Sequence, residues 1–175
     1  MLKKSMQDLQ RKTKEEFHRA EKFPIVVVLD NIRSMHNVGS VFRTADAFLV
    51  ESVCLCGFTP VPPHRDIQKT ALGATETVCW EYFADVLEAT SRLQEQGYGI
   101  YAVEQAQGSL PLQKTAPEPG EKIALVFGNE VNGVDQRVVS TCDGCIEIPQ
   151  LGMKHSLNIS VAAGIVLWEL VRDRF

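Results

Sequence analysis

Residues 25–29 read IVVVL and residues 122–127 read KIALVF, so each holds five consecutive apolar residues. A strand with one wet face alternates apolar with polar side chains; an uninterrupted run predicts a strand buried on both faces. Sheets covered on both faces are mostly parallel, and parallel strands need helical crossovers. The remaining sequence has that rhythm. Strands are predicted at Ser52–Cys56, Val78–Phe83, Tyr98–Val103 and Cys145–Ile148, and helices at about 38–48, 84–95, 135–140 and 156–172. A Pro-rich loop spans Thr59–His64, with a short segment on to Lys69, and a long loop with at most one helical turn spans 104–121. The fold class is α/β, a mostly parallel sheet with helices on both faces, and 175 residues suit one domain of it.

The first 22 residues stand apart. They carry seven basic against four acidic residues, a net +3 in a chain whose total is −4. Met6, Leu9, Thr13, Phe17 and Ala20 recur at helical spacing, which predicts an amphipathic basic helix over 5–21. Any polyanion is then met by this segment and by local cations, not by the whole surface. No apolar run reaches the roughly 18 residues of a membrane span, and no apolar stretch follows the N-terminal lysines as in a secretory signal. Five cysteines, an odd number, fit reduced thiols, so a cytoplasmic protein without membrane contact is expected.

In parallel α/β sheets ligands bind beyond the carboxyl ends of the strands. Three unusual segments each follow a predicted strand: Asn31–Arg43, Gly128–Gly133 and Pro149–Asn158. In the first, Asn37 fits a helix N-cap and Arg43 lies one turn beyond Gly39, where it could hold a phosphate or be a surface charge. In the second, Gly128 permits close approach of a ligand to backbone, Glu130 is the one carboxylate, and Asn132-Gly133 also suits a plain turn. Val134 stands where a phosphate-binding loop needs lysine, and no GxGxxG follows residues 25–29. In the third, Ser156 and Asn158 open a helix so apolar from Leu157 to Val171 that it needs cover nearly all round, from its own domain and from a second chain. Cys142-x-x-Cys145 lacks the further ligands zinc requires, and the four histidines have no ligand spacing, so no metal is expected.

Together the three segments resemble the SpoU/TrmH family of RNA ribose 2′-O-methyltransferases, of the SPOUT class. The first family motif resembles Asn37-Val-Gly-Ser-Val-Phe-Arg43-Thr-Ala45, the second Val126-Phe-Gly-Asn-Glu130 with Gly133, and the third Ile148-Pro149 with Gly152 and Ser156-Leu-Asn158. The resemblance spans about 25–172 and implies a methyltransferase domain at 23–175, preceded by the basic extension 1–22. It further implies a C-terminal trefoil knot, a homodimer, S-adenosylmethionine as cofactor, and transfer of its methyl group to a ribose 2′-hydroxyl of tRNA or rRNA. By the same resemblance Arg43 activates or positions that hydroxyl, with Asn37, Glu130, Ser156 and Asn158 as the other site residues. The cofactor is expected against backbone at Val103, Glu104, Gly128, Ile148 and Leu157. RNA would then meet the N-terminal helix, Arg65, Lys69 and Lys154, while Lys154-His155 has no catalytic role assigned. Two other readings compete: a knotted RNA-binding module without catalysis, and an unrelated α/β domain for a small nucleotide or metabolite.

Overall fold

The apolar runs become the centre of the sheet. In a computed structural model, which describes residues 1–5, 8–9 and 11–174, the strands are β1 (Phe23–Asp30), β2 (Val50–Cys56), β3 (Cys79–Phe83), β4 (Gly99–Val103), β5 (Leu110–Pro111), β6 (Ile123–Phe127) and β7 (Gly144–Glu147). They form one sheet in the order β3-β2-β1-β6-β4-β7-β5, and every pairing is parallel. The helices are α1 (Lys14–Arg19), α2 (Met35–Ala47), α3 (Arg65–Ala71), α4 (Val86–Glu95), α5 (Gln136–Thr141) and α6 (Ile159–Val171).

Strand periodicity distributes each apolar run between two cores. Val27, Leu29, Leu125 and Phe127 join Val38 and Phe42 of α2, Ile67 of α3, and Ala163, Val166 and Leu167 of α6. The intervening Val26, Val28, Ala124 and Val126 join Val86, Ala89 and Leu93 of α4 and Val138 of α5. Burial on both faces explains the missing polar alternation, and each buried Val, Leu, Ile or Phe among them contributes about 1.5–3 kcal/mol. Cys54 and Cys56 fall in the second core.

Four local expectations are corrected. The N-terminal helix covers Lys14–Arg19 rather than 5–21: Thr13 is extended (φ −69°, ψ 168°) and closes a capping box with Glu16. Of its proposed stripe, Phe17 is buried, Leu9 is exposed, and Met6 lies outside the described residues. Ser34, not Asn37, caps α2, its side chain accepting from the Asn37 N–H. Asn158 caps α6, so Ser156 lies before the helix. Nor is α6 buried all round, because Val161, Ile165 and Trp168 are 50%, 38% and 50% exposed along one face.

A fifth difference lies in the long loop, where residues 110–111 add β5 beside β7 and a single 3₁₀ turn follows at Leu112–Lys114. Since β7 sits between β4 and β5, the 104–109 connection passes over the end of β7. Gln105 Nε2 donates to the carbonyl of His155 (3.1 Å), so the chain leaving β7 lies against that connection.

Candidate active site

Glu130 ties the three segments together. It follows β6, and its carboxylate accepts the N–H groups of Arg33 (3.0 Å) and Ser34 (3.3 Å) and the side-chain amide of Asn37 (3.2 Å). Asn37 Oδ1 in turn accepts from Asn158 Nδ2 (3.1 Å), whose own Oδ1 accepts the N–H and hydroxyl of Ser160. One chain of hydrogen bonds thus joins the loop after β6, the first turn of α2 and the N-cap of α6. Burial works to raise the Glu130 carboxyl, but the bonds from Arg33, Asn37, Ser34 and its own backbone outweigh it and hold the group below the usual glutamate range. An ionised carboxylate with its lone pairs so engaged is an anchor, not a proton acceptor in waiting.

Beside this anchor lies a cavity of about 590 Å³ at the carboxyl ends of β4, β6 and β7. The five residues expected against a cofactor, Val103, Glu104, Gly128, Ile148 and Leu157, all line it, as do Glu130, Ser156 and Asn158. Asn37 reaches it only through its hydrogen bonds. Volume and lining suit a cofactor: about 300–1,000 Å³ is usual, and Phe127, Ile146 and Leu157 provide apolar wall between exposed loop backbones.

Arg43 stands elsewhere. It is exposed on α2, lines no part of the cavity, and makes no hydrogen bond or ion pair with the described residues. It lies six positions beyond Asn37, about 9 Å along the axis and about 120° around it. Nor is there room for a phosphate over Gly39 beside Arg43, since a Cβ there would lie 2.1 Å from Thr70 Oγ1 and 2.3 Å from the Ile67 carbonyl. Gly39 is required by the packing of α3, not by a phosphate. Gly128 likewise accommodates its own loop, a Cβ falling 2.0 Å from Gly133 C and Val134 N.

Several supporting residues escaped the sequence reading. Asn129 is buried; its Nδ2 donates to the Asn31 carbonyl (2.7 Å) and its Oδ1 accepts from Val131 and Asn132. An Asn directly after a strand is the signal for such a side-chain-closed turn. Glu104, expected to serve through its backbone, has a structural role for its carboxylate, which accepts the Val134 N–H (3.1 Å). Asp30, buried at the end of β1, accepts the Asp135 N–H (3.0 Å); burial raises its carboxyl even so. The cysteines take no part. All five are free, and burial pushes Cys54 up to about 12 and Cys145 to about 11, where little thiolate forms. Cys142 and Cys145 face each other at 4.0 Å. No cluster of three metal-binding side chains occurs among the described residues, and no described helix is long and apolar enough to cross a membrane.

Residues 24–168 match the model of the SpoU rRNA Methylase family. A 23S rRNA (guanosine-2′-O-)-methyltransferase of Vibrio vulnificus is 34% identical over 151 residues, 86% of this chain, which spans 60% of that protein's length. A tRNA (guanosine(18)-2′-O)-methyltransferase of Thermus thermophilus is 33% identical over 171 residues, covering 95% of this chain and 84% of the relative. The structure of an AdoMet-bound rRNA methyltransferase from Sinorhizobium meliloti superimposes with a TM-score of 0.79 at 26% identity, over 95% of this chain and 62% of that one. With the three motif segments gathered at one sheet edge and a family match over most of its length, the chain belongs to the SpoU methylase family.

Proposed function

We propose that this protein transfers the methyl group of S-adenosylmethionine to a ribose 2′-hydroxyl of tRNA or rRNA. The observation that carries the reading is the Glu130–Asn37–Asn158 chain beside a cofactor-sized cavity. Val103, Glu104, Gly128, Ile148 and Leu157 would hold S-adenosylmethionine. Bound there, it supplies a methyl group already activated on sulfur, so the protein's task is alignment.

Glu130 fixes the loop before α2 and the amide of Asn37; Asn37 fixes Asn158, and Ser156 stands on the same rim. These groups orient the ribose. The 2′-hydroxyl must shed its proton as it attacks, and Arg43 assists by charge: a guanidinium keeps its own proton but stabilises the developing oxyanion and can hold the adjacent phosphate. The hydroxyl proton passes to that phosphate or to water.

Arg43 cannot do this at the cavity of its own chain, which it does not line. We therefore read the active form as a homodimer, with Arg43 of one chain completing the site of the other. Val161, Ile165 and Trp168 offer α6 as the contact, and α6 packs beside α2. Sedimentation is expected to give a dimer at micromolar concentration, and Trp168→Glu, which sets a charge in that face, is expected to give a folded monomer. A wild-type monomer would remove the dimer from this reading. The chain after β7 is further proposed to thread under the 104–109 connection, as the family's knot requires. The basic segment 1–22, Arg65, Lys69 and Lys154 contribute RNA affinity, and the protein works in the cytoplasm.

Calorimetric titration tests the core of the proposal. S-adenosylmethionine is expected to bind saturably and ATP and NAD not at all, with methyl transfer to undermethylated tRNA or rRNA following. Failure of a folded dimer to bind S-adenosylmethionine would leave a non-catalytic RNA-binding module as the reading.

A further inference from the structure

Phe58 is 59% exposed on the loop that follows β2. Single exposed apolar side chains are ordinary, but the backbone that carries this one is fixed on both sides. Its N–H donates to Asn31 Oδ1 (3.1 Å), and Asn31 itself sits in the left-handed region at φ 54°. Gly57 is left-handed at φ 63°, where a Cβ would fall 2.0 Å from the same Asn31 oxygen. The Gly57 N–H donates to the Phe83 carbonyl, and the Tyr82 hydroxyl donates to the Gly57 carbonyl. On the other side Thr59 is 3% exposed, its hydroxyl accepting the Ile32 N–H (3.0 Å) and lying 2.7 Å from the Cys56 carbonyl. The fold therefore fixes the backbone on both sides of a ring that it leaves in solvent.

The same fixings run on to the active site. The Asn31 carbonyl accepts from Asn129, which opens the loop carrying Glu130. Next to Ile32 is Arg33, and α3 begins with Arg65; both are exposed, and neither forms an ion pair with the described residues. The end of β2 lies two strands from β6, about 10 Å across the sheet. An exposed aromatic ring on a fixed backbone, with unpaired arginines on the neighbouring segments, is a combination suited to single-stranded RNA, the ring stacking on a base and the arginines meeting phosphates.

We infer that Phe58 is a stacking platform for a base of the RNA near the nucleotide being methylated, with Arg33 and Arg65 receiving the flanking phosphates. The inference rests on the RNA methyltransferase reading above. Its test is anisotropy titration of the full chain with unmodified tRNA transcripts and with rRNA transcripts, paired with calorimetry of S-adenosylmethionine. Phe58→Ala and Phe58→Leu are each expected to weaken RNA binding about tenfold. Phe58→Tyr, which keeps the π face, should stay within about twofold of wild type. Cofactor affinity should be the same in all four proteins. Wild-type affinity in Phe58→Ala would overturn the platform, and wild-type affinity in Phe58→Leu would reduce it to a plain apolar contact, which also overturns it. A wild-type chain that binds neither cofactor nor RNA would instead bring down the methyltransferase reading, and the platform with it.

Discussion

Arg43→Ala is expected to lower methyl transfer by about 10²–10³-fold, the usual cost of removing one charge-stabilising group from a reaction centre. Stability should not follow, because the side chain is exposed and has no partner among the described residues. Surface truncations of that kind stay within about 0.5 kcal/mol. Affinity for S-adenosylmethionine should also persist, since Arg43 lines no part of the cavity. The geometry permits a sharper test. If Arg43 completes the site of the second chain, Arg43→Ala mixed with Glu130→Ala yields mixed dimers in which one site has both defects and the other has neither. With half of the dimers mixed and one of two sites intact in each, activity should return to about a quarter of wild type. If Arg43 works within its own chain, mixing restores nothing. Full activity of Arg43→Ala alone would end its assignment to the reaction.

The contrast between Arg43 and Glu130 shows what a sequence of this kind discloses. Strand positions were legible because a doubly covered parallel sheet leaves continuous apolar runs, and the runs at 25–29 and 122–127 did become adjacent β1 and β6. The sheet edge that gathers the three motifs followed from the alternation of strand and helix. Side-chain direction did not. Gly39 and Arg43 share a helical face in the sequence, yet that face at Gly39 is filled by α3, seven residues whose register against α2 no local pattern fixes. The caps were displaced by a few residues for a similar reason. Ser34 and Asn37 are both good capping residues, but the Asn37 oxygen that a cap would use accepts instead from Asn158, 121 positions away, and Ser34 caps the helix. The exposed face of α6 was hidden by its composition: Val161, Ile165 and Trp168 are as apolar as their buried neighbours, so nothing in the sequence marked which side meets the domain.

Glu130→Ala should be the other large loss, by a different route. Three donors lose their acceptor, and the segment Arg33–Ser34 keeps only the neighbouring Asn129–Asn31 bond as its tie to the loop after β6. Bonds to a charged acceptor are worth more than neutral ones, but water can reach these donors, so a stability loss of about 1 kcal/mol is expected, a few degrees in melting temperature. Methyl transfer should fall further, about 10²-fold, because Asn37 and Asn158 lose their orientation and misplacement by about 1 Å is enough for that. Glu130→Gln separates charge from shape. One oxygen still accepts, while the new amide nitrogen faces a backbone N–H that it cannot satisfy. The pH dependence has a definite sign. The Glu130 carboxyl is held below its usual range in the folded protein, so its stabilisation is complete above about pH 4.3, the unfolded value. It is lost as pH falls through the lowered folded value. The stability gap between wild type and Glu130→Gln should therefore be flat from pH 8 down to the unfolded value and close only below it. Activity between pH 6 and 9 should carry no inflection from Glu130, which stays ionised throughout. A gap that instead narrowed near neutrality, or a Glu130→Ala enzyme with wild-type turnover, would show that the carboxylate does not anchor this site.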